Sequence, residues 1–479
     1  MADRITIRDS VVTDTVETVV SDNIVFIVGT SFGGNAETKV PTLCTSLREF
    51  FNAFGTQRLT RLENEEIELA SDTSITLEGG VPVKGSLIVS IMNGAELIAT
   101  LRDNSQGNVI GRDSDDNVII MSYEGNVLTF TDISNVTLKI QYEVKLEVKD
   151  SSLLGYQYAI TCLSNGFPVL YDSIKNLTEL IEADNLTSRD FLKELKHQVN
   201  LIGEDRINYD FKFVPTIYDI VQSGDTVDTT SVNYIKSIIF NCTELGDRIV
   251  LLDINASSPQ KMKDIINTHI TNANSYCLCI GNRGYYGTLD MPGSFWYLLR
   301  LSESVVSQGN PVYEAIANTD GYVNMVESEN TIKYSYNDMM TVGQFENGYG
   351  IIPLGKLNRN NGFTLFGNIT CLRDVNHVNP YNFASIRLLS IEVKRLLRRI
   401  GMTNLFASDP REVIREFNII VNGVLSKMKI NGYLDSYNIS LSAQGTKITG
   451  NVNLVANGTV EKIDIGITTV LNNDIVISE

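Results

Sequence analysis

Positive charge is scarce in this chain of 479 residues: 39 Lys and Arg stand against 57 Asp and Glu, a formal net charge of −18. So acidic a composition argues against sequence-independent phosphate binding, and nucleic acid is not expected as a partner. Long apolar runs are missing as well. No stretch reaches 18 consecutive apolar residues, so no membrane insertion is expected, and the opening MADRITIRDS is charged and alternating where a secretory leader needs an apolar block. The chain is expected in a cytoplasm, and sequons such as Asn135 and Asn438 then carry no sugar.

Cysteine is sparse and scattered: Cys44, Cys162, Cys242, Cys277, Cys279 and Cys371. Only Cys277 and Cys279 are close in sequence, so reduced buried thiols are expected. The three histidines, His197, His269 and His377, have no second ligand at metal spacing. No metal and no cofactor is expected.

What is present is an ordinary globular composition, 43 % apolar and 20 % charged, in a length that corresponds to about three domains. Residues 1–22 alternate weakly, through Ile5, Ile7 and Val11, and read as an extended arm. Residues 23–66 begin a core: Ile24–Val28 is a buried-strand run, and TSLREFFNAFG has helical spacing closed by Gly55. Residues 67–149 break into short alternating runs between turn signals, the pattern of an inserted all-β domain. From 150 to 280 strand and helix patterns alternate, which calls for a parallel sheet with covering helices. There YQYAITCLS, FKFVPTI, RIVLLDI and YCLCIG read as strands, and DSIKNLTELIEA, SRDFLKELKHQV, VNYIKSIIFNCTEL and PQKMKDIINTHITNA as helices. The fold class is therefore α/β, a mixed α+β core of parallel or mixed sheet with covering helices, plus the all-β insertion and terminal β arms.

Residues 281–456 end in two well-specified helices. Asp409, Pro410 and Glu412 form a start signal and Gly432 a stop. The helix before it, Phe383–Ile400, carries Ile386, Leu389, Val393 and Leu397 on one arc and Arg387, Lys394, Arg395, Arg398 and Arg399 on another, a cationic face for an acidic partner surface. At residues 457–479, Lys447–Ala456 and Thr459–Val470 alternate around Asn457-Gly458, a hairpin signal. Ile463, Ile465 and Ile467 line one face of the tail, and Ile475 and Ile477 mark a last short strand that needs a partner.

One motif hints at catalysis. Gly29-Thr30-Ser31-Phe32-Gly33 matches G-x-S-x-G after an apolar strand, the place of a hydrolase nucleophile. The residues that follow, Gly34 to Pro41, lack the helical period such an elbow needs. Nor do the glycines fit a phosphate loop, since no Lys-Ser/Thr follows. A serine hydrolase using Ser31 is kept only as the enzyme alternative; the chain is read as no enzyme.

Taken together, FIVGTSFGGNAETKVPTLCTSLREFFNAFG, GFTLFGNITCLRD, NFASIRLLSIEVKRLLRRI, ASDPREVIREFNIIVNGVLSKMKINGYLDSYNI and TVEKIDIGITTVL resemble, in order and spacing, the contractile tail sheath proteins of bacteriophages, pyocins and related injection machines. The resemblance covers Ile24–Gly55 and about Gly281–Glu479, the α/β middle loosely, and the β insertion not at all. It implies a structural subunit of a virion tail, assembled in the host cytoplasm into rings or a multi-start helix of identical copies. Its partners would be itself, through exchanged terminal strands, an inner tube protein, and baseplate and terminator proteins. Pyocin-like or secretion-type machines are the second reading, and a receptor- or carbohydrate-binding role for the insertion is compatible with either.

The energetics of an arm fit this implication. Ordering about nine residues costs about 9–18 kcal/mol of backbone entropy, three buried isoleucines return roughly 5–9, and nine ladder bonds roughly 4–14. Such an arm is captured only where a neighbour supplies a sheet edge. Five exposed cations, worth about 0.2–1 kcal/mol each and weakened by salt, would instead grip a tube loosely.

Overall fold

The computed structural model describes residues 23–457 except 57–59, 71–72, 132, 146–149, 177–195, 204–209, 218–226, 228, 288, 358–361, 373–378, 405–408 and 445–446. Strand β1 (Val25–Ser31) is buried along its whole length, as its apolar run predicts. After it come β2 (Thr42–Cys44) and helix α1 (Leu47–Phe54), capped by Ser46 and closed by Gly55. The chain then leaves the core to build β3 (Thr60–Leu69), β4 (Ser74–Thr76), β5 (Ile88–Asn93), β6 (Glu96–Asp103), β7 (Asn108–Arg112), β8 (Val118–Glu124), β9 (Val127–Thr129) and β10 (Val136–Lys145). These form one antiparallel sheet, in the order β3-β10-β5-β6-β7-β8-β9-β4, around its own core of Leu101, Val109, Met121, Leu138 and Ile140.

Returning at α2 (Asp150–Ser164), the chain alternates through β11 (Val169–Asn176), α3 (Lys196–Gly203), β12 (Phe213–Pro215), α4 (Thr229–Leu245), β13 (Ile249–Leu252), α5 (Pro259–His269) and β14 (Cys277–Gly281). A hairpin, β15 (Gly284–Tyr286) with β16 (Leu289–Met291), precedes α6 (Gly293–Ser302), β17 (Tyr322–Val323), α7 (Tyr336–Val342), β18 (Ile351–Lys356) and β19 (Phe363–Leu365). The central sheet runs β17-β19-β18-β14-β13-β12-β1-β11-β2. Its six middle strands are parallel, and antiparallel strands close both edges. Last come α8 (Ala384–Thr403), α9 (Pro410–Ile430), β20 (Leu434–Gln444) and β21 (Lys447–Ala456), with a third core of Leu389, Val393, Ile400, Val421, Leu425, Met428 and Leu434.

Several expectations are corrected. YQYAITCLS lies in helix α2, not in a strand; Tyr156, Tyr158, Ala159 and Cys162 are all buried, and packing on the sheet overrides their β preference. The segment DSIKN, expected to be helical, completes strand β11, while LTELIEA and most of SRDFLKELKHQV lie outside the described residues. The insertion's sheet begins at Thr60, because the acidic segment Thr60–Leu69 pairs along its length with β10. Strand β21 pairs with β20, and the amide of Asn457 bonds Tyr433 O at 3.1 Å, while Thr459–Val470, the expected hairpin partner of Lys447–Ala456, lies outside the described residues. Helix α9 starts at the Asp409 cap as expected, although Glu412 pairs with Arg415 at 3.2 Å instead of closing a capping box.

The third core is small, so it is sensitive. Leu425→Ala should cost about 2–5 kcal/mol in urea unfolding followed at this unit; a loss below about 1 kcal/mol would contradict the packing.

Candidate assembly interface

By helical geometry, Arg387, Lys394, Arg395 and Arg398 share an arc of α8 with Ala384, Leu388 and Ile391. The three apolar residues are buried in the main core, so the middle of this arc faces the sheet. The expectation of a solvated cationic face is thereby corrected for Arg387 and Arg395, which are buried. Arg387 is sandwiched between the rings of Tyr276 and Tyr381, at 4.1 and 3.6 Å, and donates to Ser275 Oγ. Arg395 is buried and donates to Phe211 O at 3.1 Å and Asp247 O at 3.2 Å. It also pairs with the Asp210 carboxylate at 2.8 Å, in a geometry short of a hydrogen bond. Lys394 donates to Leu245 O at 3.1 Å, and Arg398 binds the fully buried Asp247 carboxylate. Lys394, Arg398 and Arg399 keep exposed surface.

Glu392, the lone acid of that stretch, pairs with the buried Lys212, whose ammonium also donates to Asn23 Oδ1 at 2.7 Å. Arg248 lies over the Phe211 ring at 4.1 Å. Residues 23, 210–212, 245–248 and 275–276 sit just before β1, β12, β13 and β14. Helix α8 therefore crosses the amino ends of four parallel strands and ties them with charge-assisted bonds. An amphipathic pattern alone could not reveal this, because the arginine stems are themselves packing surface and their partners lie far away in sequence.

The opposite arc of α8 packs on α9, which in turn rests mainly on β20 and only lightly on β21. Tyr437, Ile439, Val452 and Leu454 of the ribbon pack toward this core, while Asn438, Ser440, Asn451 and Asn453 are exposed. The Tyr437 and Ser426 hydroxyls bond at 2.7 Å, and Tyr433 donates to Glu314 with its ring edge-on to Tyr313. Among the described residues neither β20 nor β21 pairs with a third strand. Sequence reading missed β20 as the hairpin partner, although DSYNISLSA alternates. The arm residues Ile5, Ile7, Val11, Ile463, Ile465, Ile467, Ile475 and Ile477 lie outside the described residues, as does His377.

The glycine motif has a packing explanation. Phe32 N donates to Phe54 O at 2.7 Å, and a Cβ on Gly34 (φ +97) would lie 2.4 Å from Ala53 O, so the loop must lie against the end of α1. Ser31 is buried at the end of β1, and the next described helix begins only at Leu47. Its hydroxyl makes no hydrogen bond to His197, whose Nε2 is 2.8 Å from Lys39 O and 3.7 Å from Asp172. Among the described residues no cluster of His, Cys, Asp and Glu could hold a metal, no helix is long and apolar enough to cross a membrane, and all six cysteines are buried with none in a disulfide.

Asp172 is fully buried with neither oxygen accepting a hydrogen bond, and burial pushes its carboxyl up to about 6 against the pull of His197 and Lys39. With the folded value above the unfolded one, the native state holds the extra proton, so this group's contribution is present at low pH and lost as pH rises through about 6. Asp172→Asn should therefore raise the melting temperature at pH 7.5, by an effect of about 2–3 kcal/mol, and change it little at pH 4. An equal shift at both values would contradict a buried charged carboxylate.

No known protein family matches the chain, and no curated protein does. Among solved structures it is similar to a chain of the anti-feeding prophage baseplate, at 13% identity over 66% of this chain and 80% of that one, TM-score 0.44. A chain of the PVC sheath complex in the contracted state, an extracellular contractile injection system, is similar at 14% identity over 65% and 79%, TM-score 0.44. The sheath tail protein of Desulfitobacterium hafniense is similar at 7% identity over 94% and 100%, TM-score 0.43.

Proposed function

We propose that this chain is the polymerising subunit of a contractile tail sheath of the bacteriophage type, joined to its neighbours by exchanged terminal strands around an inner tube. The observation that carries the reading is the two-stranded ribbon β20–β21, long, held on one face by α9, and paired at neither outer edge with a third strand among the described residues. Exposed edges of this length invite strand addition. The chain itself supplies two segments of matching pattern, residues 1–22 and 458–479, the second with Ile463, Ile465 and Ile467 in alternation. The order of the segments that resemble sheath proteins, from Ile24–Gly55 to the tail, supports the same conclusion.

In this reading the arms link copies into a mesh whose many strand contacts act together, and its ends meet baseplate and terminator proteins. The mesh holds the tube weakly, so that subunits leave the tube without leaving each other and shortening drives the tube through a host envelope. Of the cations first considered for the tube, Arg387 and Arg395 are buried, and Lys394, Arg398 and Arg399, which keep exposed surface, remain the candidates.

Deleting residues 464–479 should leave a folded monomer that forms no cylinders under negative stain. Cylinders of normal length from that truncation would rule out strand exchange by this arm. Arg399→Glu should lower co-sedimentation of tube protein several-fold while the chain still polymerises, and undiminished co-sedimentation would move the tube contact elsewhere.

A further inference from the structure

Helix α8 is the one described element that supplies buried residues to both the main core, through Ala384, Leu388 and Ile391, and the carboxyl core, through Leu389, Val393 and Ile400. Any rotation of α8 about its axis therefore swings α9 and the ribbon relative to the sheet. Apolar contacts on both arcs resist separation, but they are not directional. The charged contacts are. Arg395 reaches carbonyls at the starts of two different strands, Arg398 meets a carboxylate with no exposed surface, and Lys212 meets Glu392 while also bound to Asn23. Buried ion pairs add little net stability over apolar residues of the same size. Concentrating them on the arc that packs against the strand starts is thus better accounted for by orientation than by stability.

We propose that this latch is a positioning device for assembly: Lys212–Glu392, Arg395 and Arg398–Asp247 fix the angle at which the ribbon presents its open edges to neighbouring copies. The inference rests on the sheath reading and deepens it. One subunit's ribbon must meet the next subunit's arm at the same angle at every step, because a small error per copy prevents a closed ring or regular helix. Tyr433, at the turn between α9 and β20, bonds Glu314 and gives the unit a second tether outside the latch.

The test compares the double variants Arg398→Met/Asp247→Asn and Lys212→Met/Glu392→Met, each of which removes both charges of its pair so that neither partner is stranded, with the unaltered chain by three readouts. These are melting temperature, binding of a labelled peptide of residues 458–479, and cylinder formation under negative stain. The variants are expected to melt within about 5 °C of the unaltered chain and to bind the peptide within twofold, yet to give at least tenfold fewer regular cylinders. Arg398→Lys, which keeps the charge, should recover most of them. Regular cylinders from both methionine variants would overturn the proposal, as would a large fall in melting temperature that accounts for the lost assembly. Should the unaltered chain neither bind the peptide nor form cylinders, the sheath reading itself fails, and that outcome is distinct from failure of the latch alone.

Discussion

The charged contacts between α8 and the amino ends of β1, β12, β13 and β14 are the constraint on which the rest of this molecule depends. Without them the chain is two cores joined by one shared helix and the contacts of Tyr433 with Tyr313 and Glu314. The parallel sheet buries its strands on both faces and is stable through burial, and the carboxyl unit has a core of its own under the ribbon. What makes them one shape is a short row of cations whose partners are strand-start carbonyls, the Asp210 and Asp247 carboxylates, and a lysine–glutamate pair. Removing a single partner strands a charge in a poorly solvated place, a far larger penalty than the pair's own worth.

That arrangement separates stability from assembly. The sheet holds the main core, and the antiparallel unit from Thr60 to Lys145 has a separate core, entering after α1 and leaving before α2 so that β1 and β11 still pair in parallel. The ribbon is the opposite kind of element. Its packed face is apolar, its other face is mostly polar with Val455 exposed, and among the described residues no third strand pairs with either edge. An isolated two-stranded ribbon is marginal in water, and here α9 supports it without closing it. A structure built this way is complete as a fold and incomplete as a sheet.

The sequence alone makes much of this legible, and unevenly so. Periodicity and caps locate α9 closely, since Asp409, Pro410 and Gly432 act locally, and the apolar runs of β1, β13 and β14 read as buried strands. The all-β insertion announces itself by its turn spacing, except for Thr60–Leu69, whose acidic edge strand hides its alternation. Tyr156–Ser164 reads as a strand because aromatic and β-branched residues dominate it, yet a helix buried on several sides accepts them. The cations of α8 are the instructive case. Their shared arc is visible in the sequence; that the arc faces inward is not, because Asp210, Asp247 and Lys212 come from segments more than a hundred residues away. The glycines near Ser31 mislead for a similar reason, since what they approach is the end of α1.

The central claim is that the open edges of the ribbon are completed by strands of other copies. Hydrogen exchange of the backbone amides in Leu434–Gln444 and Lys447–Ala456, measured on the dispersed chain and on its assembled form, tests this most directly. The account predicts that amides not bonded within the ribbon exchange freely in the dispersed chain and become protected at least a hundredfold on assembly, in the alternating pattern of new ladders. Identical exchange in both forms, or protection already complete in the dispersed chain, would contradict it.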